Sequence, residues 1–344
     1  MPDYHDLTAL VRGTQPRVLP AIWDFFPSHA AAVGGVPDFI RYYFDVDEKL
    51  AVQCKLKALL PQALILPGVF PDLGVVTDVS AFGGRIQWFT DGAPFIGATV
   101  HDARDIDALR PPTPGRDGLM PLWLTQREAM RRKLKAQGTE LERWAMCMGP
   151  AEVSGLLMGY ERFYLTMYDD PTRLHALMSL VTDFLLGWLR VQHETMGGAM
   201  AVCVADHVFS QVPPPLAREF LLPHMQALYA AFPDPVRFYH NEGHHSPDHI
   251  DMVLEFGADI WHFGSDVHAL ADQFAHVGDR IVLFGGLSPH GVIRLGTPDE
   301  VTAATRQALA EVEGHRMLFS SGTGTTPDTS LENQRAMIQA VASR

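Results

Sequence analysis

His240 and Glu242, two residues apart, are the side chains in this sequence best placed for metal chemistry. They follow residues 236–239, a short β-branched and aromatic run that predicts a buried strand. Imidazole and carboxylate are both good zinc ligands, and two of them just past a strand end can point at one ion. The alternative interpretation is an exposed, histidine-rich loop that contains His244 and His245 and leads into the next helix.

Apolar runs of strand type recur along the whole chain, and most are followed by a helical pattern. The helical patterns are clearest over residues 171–196, 298–312 and 330–341. This alternation predicts an α/β fold, a single-domain (β/α)8 TIM barrel over residues 1–344. An open doubly wound sheet is the alternative, but no Gly-rich dinucleotide-binding motif follows an early strand. The eight predicted strands cover residues 18–23, 63–69, 144–148, 200–205, 236–240, 258–263, 280–285 and 316–320.

Carboxylate and imidazole side chains collect at the carboxyl ends of the predicted strands. In a (β/α)8 barrel this end carries the chemistry. Asp206, His207 and His262 lie there beside His240 and Glu242, and any of the three can supply a third metal ligand. Catalytic zinc typically keeps about three protein ligands and one open position. The sequence therefore predicts a metal site but leaves the third ligand open.

The remaining candidate site residues lie at the same ends. Asp72 follows the second strand and is a candidate general acid or base, with capping of a turn as the alternative. Tyr160 either points its hydroxyl group into the pocket or packs against its neighbours. Trp23, Phe25 and Phe70 are candidate walls of a substrate pocket.

Composition excludes several classes of function. The chain has 27 basic and 40 acidic residues, for a formal net charge of −13, which argues against nucleic acid or an anionic membrane as a partner. The three cysteines, Cys54, Cys147 and Cys203, are scattered and suggest no disulfide framework. The sequence shows no signal-peptide pattern and no apolar run long enough to span a bilayer, so we expect a cytoplasmic protein.

Several short segments, in a fixed order and spacing, resemble those of one enzyme superfamily. Residues 278–289 resemble a seventh-strand signature, with Gly286 where an Asn is usual. The other matching segments are residues 149–150, 159–163, 170–171, 296–301, 320–329 and 332–333. Together they resemble the uroporphyrinogen decarboxylase superfamily over nearly the whole chain.

For a porphyrinogen decarboxylase, the resemblance implies an Arg-rich segment near the N-terminus. A substrate with many carboxylates needs guanidinium partners, yet the corresponding residues 19–29 contain no Arg. Asp72 falls where the decarboxylases keep a catalytic Asp, while their late catalytic His falls at Thr323. Because two of these three features are missing, we do not expect porphyrinogen decarboxylation.

The other branch of the superfamily consists of methyltransferases that work with corrinoid proteins. Their zinc site resembles His-x-Cys after the fifth strand, plus a Cys near the eighth. His240 matches the His, Glu242 replaces the first Cys, and Thr323 stands at or near the second. We therefore expect Thr323 to contact the substrate. A His/Glu site is harder and more oxygen-friendly than a thiolate site. The resemblance then implies zinc, and a methyl group on an ether, alcohol or amine.

The first prediction is therefore a methyltransferase that moves a methyl group between a small molecule and a separate corrinoid protein. Cobalamin would belong to that partner, because this chain has no Asp-x-His-x-x-Gly segment. A homodimer is compatible with the sequence. One alternative is a metal-independent decarboxylase or lyase of a small carboxylate, with Asp72 as proton donor. The other is a non-catalytic binding barrel.

Overall fold

The computed structural model describes residues 2–14, 18–24, 38–322 and 324–343. Eight parallel strands form one curled sheet, in the order β2-β1-β10-β9-β8-β7-β6-β5, and β3 and β4 form a separate antiparallel hairpin. The strands are β1 (Val18–Trp23), β2 (Leu64–Leu66), β3 (Ile86–Gln87), β4 (Phe95–Ile96), β5 (Trp144–Met148), β6 (Ala201–Ala205), β7 (Val236–His240), β8 (Ile260–His262), β9 (Val282–Leu287) and β10 (Met317–Ser321). The predicted (β/α)8 barrel is confirmed.

Helices surround this sheet, and the first of them packs Leu7 and Leu10 against the side chains inside the barrel. They are α1 (Tyr4–Val11), α2 (Phe39–Phe44), α3 (Val46–Leu59), α4 (Met120–Ala136), α5 (Pro150–Met158), α6 (Tyr160–Asp169), α7 (Pro171–Thr195), α8 (Pro214–Phe220), α9 (Leu222–Ala230), α10 (Pro247–Glu255), α11 (Leu270–Val277), α12 (Val292–Leu295), α13 (Pro298–Glu311) and α14 (Leu331–Ala342). Short 3-10 turns lie at Val79–Phe82, Ala103–Ala108 and Val208–Gln211.

The long helix α7 is the one helix in the described ranges with the length and composition to cross a membrane. Half of its most apolar window is buried within the protein, and the helix packs against β5 and α5. Its buried side chains, including Leu177, Leu185 and Trp188, lie on one face. The apolar character of α7 is therefore used in covering the barrel.

The predicted and observed strand boundaries agree for three of the eight barrel strands and differ by a few residues for the others. β1, β5 and β7 have the predicted bounds, whereas β2 is shorter than predicted and ends at Leu66. Pro67 follows directly, and proline has no N–H to donate to a ladder of hydrogen bonds. β6 and β8 are likewise trimmed at their ends.

The seam between β5 and β2 is the one place where neighbouring barrel strands are not joined by a described backbone ladder. Side chains satisfy backbone groups of β5 instead. The side chain of Gln192 on α7 accepts from Met146 N at 3.1 Å and donates to Met146 O at 2.9 Å. Met148 N donates to Asp78 at 2.6 Å. Buried backbone polar groups thus find partners without a neighbouring strand.

Side chains alternate between two cores, as the period of a β-strand requires. Those that point inward fill the barrel, where Trp144 packs against Trp23 and Phe238 with ring centroids 6.2 and 4.6 Å away. Those that point outward, such as Tyr239 and Trp261, pack beneath the helices. Cys147 and Cys203 are buried, one in each of these cores.

The seam makes a stability prediction. Gln192→Leu keeps the approximate volume of the side chain but leaves the N–H and C=O of Met146 without their partners. One buried unsatisfied group costs about 1–3 kcal/mol, so we expect a loss of about 2–4 kcal/mol in the free energy of unfolding by urea titration. Gln307→Leu, at an exposed position of α13, is the control and should change stability by less than about 0.5 kcal/mol. Equal effects of the two changes would contradict this account of the seam.

Candidate metal site and cavity

The alternation that builds the barrel also places three aromatic side chains in its top layer. Val236, Phe238 and His240 point inward along β7, and Ile260 and His262 do so along β8. The register pairs His240 directly with His262. Their Nδ1 atoms therefore meet at 2.8 Å. The Trp23 ring, at the end of β1, stacks on His240 with centroids 4.7 Å apart.

Three potential metal ligands converge beside this layer. His207, His240 and Glu242 each offer a ligand atom, and the three atoms lie within 4.8 Å of one another. Oε2 of Glu242 is 2.9 Å from Nε2 of His207 and 3.3 Å from Nε2 of His240. Within the described part of the chain, no other group of three or more such residues meets the same test. Two imidazoles and one carboxylate form a donor set that catalytic zinc sites use.

Each imidazole is held from behind through its other nitrogen. Nδ1 of His240 contacts His262, and Nδ1 of His207 lies 3.3 Å from Oε2 of Glu152. The same Glu152 oxygen accepts from the backbone N–H of His207 at 3.0 Å. Carboxylate or imidazole partners of this kind fix the tautomer and orientation of metal-binding histidines. Both Nε2 atoms are thereby left facing Glu242.

The arrangement fits a metal ion better than a set of hydrogen bonds. Oε2 of Glu242 is buried and, among the described residues, has no partner in hydrogen-bonding geometry, despite its short distances to both imidazoles. The nitrogens thus approach this oxygen closely without directing an N–H at it. Ligand atoms that converge on one point satisfy such geometry, since an ion placed among them replaces the missing hydrogen bonds.

The pKa values of His207 and His240 are shifted in opposite directions by their surroundings. Burial alone would lower the pKa of His207, but its contacts with Glu152 and Glu242 outweigh burial and raise that pKa to about 10. Burial lowers the pKa of His240 to about 4, against the opposing effect of Glu242. Burial disfavours ionised Glu242, yet the two histidines together hold its pKa well below the usual range. A neutral His240 and an ionised Glu242 are the forms that bind metals.

A space of about 280 Å³, which we call the inner cavity, reaches the candidate metal-binding group of His207, His240 and Glu242 from the barrel mouth. His207 and His240 form part of its wall. Most of the remaining wall is apolar or aromatic, and it includes two aspartates. Among the described lining residues there is neither Lys nor Arg. The lining side chains include Trp23, Phe70, Asp72, Asp78, Trp123 and Trp188.

Asp72 is buried in the wall of the inner cavity, on the loop after β2. Its carboxylate accepts from Gly74 N at 2.8 Å and from the hydroxyl of Tyr42 at 3.2 Å. Burial raises the pKa of Asp72, while the nearby Lys49 opposes the shift. A carboxyl group with a raised pKa can hold a proton and deliver it to a bound molecule.

The fully buried Lys49 supports the Asp72 loop from outside the cavity. Its ammonium group donates to the backbone oxygens of Tyr43 and Asp72 and to Oε1 of Gln126. Burial lowers the pKa of Lys49 to about 7, with Asp72 acting in the opposite direction. The Lys49 amine thereby ties the backbone of the Asp72 loop to Tyr43 on α2 and Gln126 on α4.

The structure brings His207 to His240 and Glu242, and it places the two other candidate third ligands elsewhere. The Asp206 carboxylate accepts from the backbone N–H groups of Ala151 at 3.0 Å and Phe209 at 3.1 Å, so it caps the start of α5 and the turn after β6. His262 lies behind His240 and orients it. Neither belongs to the convergent group, because backbone register and capping fix where their side chains point.

The remaining predicted residues fall into two sets. Trp23 and Phe70 line the inner cavity, as expected of pocket walls. Tyr160 is partly exposed and donates its hydroxyl hydrogen to Glu152, so it supports the residue behind His207 and does not line the inner cavity. Phe25 and Thr323 lie outside the described residues.

Two acidic residues near the site are absent from the sequence-based predictions. Glu152 stands in the first turn of α5, where an acidic residue is ordinary and gives no signal of its own. Asp78 lies before a short 3-10 turn, and burial raises its pKa to about 7. Only the position of Glu152 after the end of β5 could have pointed to the mouth of the barrel.

Comparisons with known proteins agree with this architecture. A solved structure described as a methyltransferase from Methanosarcina mazei superposes with a TM-score of 0.80 at 19% identity, covering 98% of this chain and 97% of that one. A B12-independent methionine synthase from Shewanella sp. W3-18-1 superposes with a TM-score of 0.56 at 11% identity, over 95% of this chain and 98% of the other. At these identities the likeness concerns the fold.

The sequence relatives carry a different name. A uroporphyrinogen decarboxylase from Chromohalobacter salexigens is 26% identical over 99% of this chain and 98% of its own length. A second, from Cellvibrio japonicus, is 24% identical over 97% of this chain and 94% of its own. The family model described as uroporphyrinogen decarboxylase (URO-D) matches residues 7–344. Since that match covers nearly the whole chain, this protein belongs to the uroporphyrinogen decarboxylase family.

Proposed function

We propose that this protein is a metal-dependent methyltransferase. It would move a methyl group between a small ether, alcohol or amine and a separate corrinoid protein. The observation that carries the proposal is the convergence of His207, His240 and Glu242 at the wall of the inner cavity. The predicted site residues Asp72, Trp23 and Phe70 line the same cavity.

The inner cavity is poorly suited to the substrate named by the sequence relatives. A porphyrinogen carries several carboxylates, and burying them without cationic partners is costly. The described lining has no Lys or Arg, and two of its members are acidic. Its volume of about 280 Å³ suits a small molecule. These features support a different substrate from that of the decarboxylases.

Each residue then has a role that follows from its position. His207, His240 and Glu242 would hold zinc, with Glu152 and His262 orienting the two imidazoles. Bound zinc would act as a Lewis acid on the heteroatom that carries the methyl group. Asp72 would supply the proton that the heteroatom needs once its bond to the methyl carbon breaks. Trp23 and Phe70 would exclude water around the substrate.

The second candidate is a metal-independent decarboxylase or lyase that acts on a small carboxylate. The raised pKa and burial of Asp72 favour it, because a protonated carboxyl group can protonate a carbanion. The acidic lining counts against it, since the described lining has no Lys or Arg to receive a substrate carboxylate, and His207 is already paired with Glu152 and Glu242. Metal dependence separates the two candidates.

The metal site makes the first functional prediction. His240→Ala, His207→Ala and Glu242→Ala should each reduce bound zinc to well below one ion per chain while leaving the barrel folded. Elemental analysis of protein without a His-tag measures this directly. His244→Ala, which removes an exposed imidazole from the same loop, is the matched control and should keep the metal. A metal-free wild-type protein that remains active would contradict the proposal.

Proton release provides a second test. Because the pKa of His207 is about 10 without metal, this histidine is protonated near neutral pH and must lose its proton to bind an ion. His240, with a pKa of about 4, has no proton to lose. Titration calorimetry in buffers of different ionisation enthalpy should therefore show about one proton released per metal ion, and affinity should rise about tenfold per pH unit below the pKa of His207.

Glu152→Gln should reduce that release, since one of the two carboxylates that stabilise protonated His207 is removed. It should also weaken metal binding by about 10- to 100-fold, because Glu152 orients the imidazole. Unchanged proton release and affinity in this variant would show that Glu152 does not act on His207.

Asp72 makes a third functional prediction. Asp72→Asn should lower the rate of methyl transfer by about 10²- to 10⁴-fold and leave metal content unchanged. As a proton donor, Asp72 is active while protonated, so wild-type activity should fall as pH rises through its raised pKa. Transfer from methanol, anisole or trimethylamine to cob(I)alamin, followed by absorbance, measures both effects. Retention of that alkaline limb in Asp72→Asn would assign it to another group.

A further inference from the structure

The metal-binding group is bordered by a second opening, separate from the inner cavity. We call this space the outer opening; it is lined by His207, Ser210, Gln211, Glu242, Gly243 and His244. His207 is common to both spaces, while Glu242 lines only the outer opening and His240 only the inner cavity. The group therefore forms a partition that can be reached from two sides.

The two sides differ in chemistry. The described wall of the outer opening consists of polar side chains and one glycine, whereas the inner cavity is walled mostly by apolar and aromatic groups. Exposure follows the same division: the side chains of His207 and Glu242 are 31% and 35% exposed, but that of His240 is only 9% exposed. The side chains of His207 and Glu242 are thus exposed on the outer side, while Oε2 of Glu242 itself is buried.

A hydrogen-bonded loop keeps the outer opening in shape. Oδ1 of Asn241 accepts from Gly243 N at 2.7 Å and from the hydroxyl of Ser210 at 3.2 Å. A Cβ atom at Gly243 would lie 2.2 Å from that hydroxyl oxygen, so only glycine permits this approach. Gln211, at the rim, accepts from the hydroxyl of Tyr164 at 2.7 Å.

A divalent cation arrives in water with its hydration shell and gives up those waters as protein ligands replace them. Passing charge along an apolar wall is costly, because nothing compensates the lost hydration. A polar passage lowers that cost, because its side chains can replace the lost waters before the ion reaches its ligands. The outer opening meets these conditions, and the aromatic inner cavity does not.

We propose that the outer opening is the route by which a divalent metal ion reaches His207, His240 and Glu242, while the organic substrate uses the inner cavity. The inference rests on the metal site of the proposed function. Ser210, Gln211 and His244 would then line the path of the metal ion, and the organic substrate would enter through the other opening.

A charge series at Gln211 tests the route. Its exposed side chain lies at the rim and outside the metal-binding group. Uptake of Co²⁺ by metal-free, full-length protein can be followed by stopped-flow absorbance. We expect Gln211→Glu to accelerate uptake and Gln211→Lys to slow it, each by roughly three- to tenfold at low salt. The difference should nearly vanish in 1 M salt, where the Debye length is about 3 Å.

Steric variants provide the matched control. Gln211→Trp should narrow the outer opening and slow Co²⁺ uptake at least tenfold. It should slow removal by a chelator by the same factor, since a barrier on the route leaves affinity unchanged. Ala93→Trp places the same bulk at an exposed position in the wall of the inner cavity and should leave both rates unaltered. Slower uptake in Ala93→Trp with normal uptake in Gln211→Trp would assign metal passage to the inner cavity.

The outcomes separate this inference from the proposed function. If wild-type protein binds Co²⁺ and the Gln211 variants take it up at the wild-type rate, the route is wrong and the metal site stands. If wild-type protein binds no Co²⁺, the proposed metal mechanism fails and this inference fails with it.

Discussion

Two imidazoles that meet through their Nδ1 atoms must share one proton across the contact, and this constraint organises the barrel mouth. In the proposed metal complex Nε2 of His240 is the ligand atom, so its Nδ1 would carry the proton and donate to Nδ1 of His262. The orientation of His240 is then fixed by a neighbouring strand, and Trp23 stacked on its face removes the remaining freedom. His207 and Glu242, which sit on loops, complete the group around this rigid member.

The proposed function would adapt the family scaffold to a chemistry different from that of the decarboxylases. A barrel fixes where strand ends meet, but the loops decide which side chains arrive there. In this chain the cavity wall combines apolar rings with two buried aspartates. Replacing cationic partners by such a wall changes which molecules can be desolvated there, without altering the sheet. Fold likeness to a methyltransferase and sequence likeness to decarboxylases are therefore compatible in one protein.

Several buried backbone groups around the site are hydrogen-bonded by charged or amide side chains. Lys49 binds the loop that carries Asp72, Gln192 satisfies the unpaired edge of β5, and Asp206 caps two backbone turns. Each places a charged or amide side chain where a strand or helix cannot supply a partner. Such groups stabilise only when fully bonded, so they also limit how far the loops of the barrel mouth can vary.

The local pattern of the sequence was sufficient to predict the barrel and some of the residues of the candidate site. Alternating strand and helix patterns predict the barrel. His240 lies at the mouth because it ends its strand, and its side chain points inward because side chains on a strand alternate with a period of two. Asp72, Trp23 and Phe70 were found in the same way, from their positions at or just beyond strand ends. The sequence alone thus determined that His240, Asp72, Trp23 and Phe70 reach the mouth.

Only the tertiary structure decided which of them meet. Asp206, His207 and His262 were equivalent candidates in the sequence, because each lies at a strand end. Strand register places His262 behind His240, and the N–H groups of Ala151 and Phe209 hold Asp206 away. Glu152 reaches the site only because α5 packs beside His207, which is 55 residues away in the chain. Contacts over such separations depend on how loops from different strands pack, and local sequence pattern carries no record of that packing.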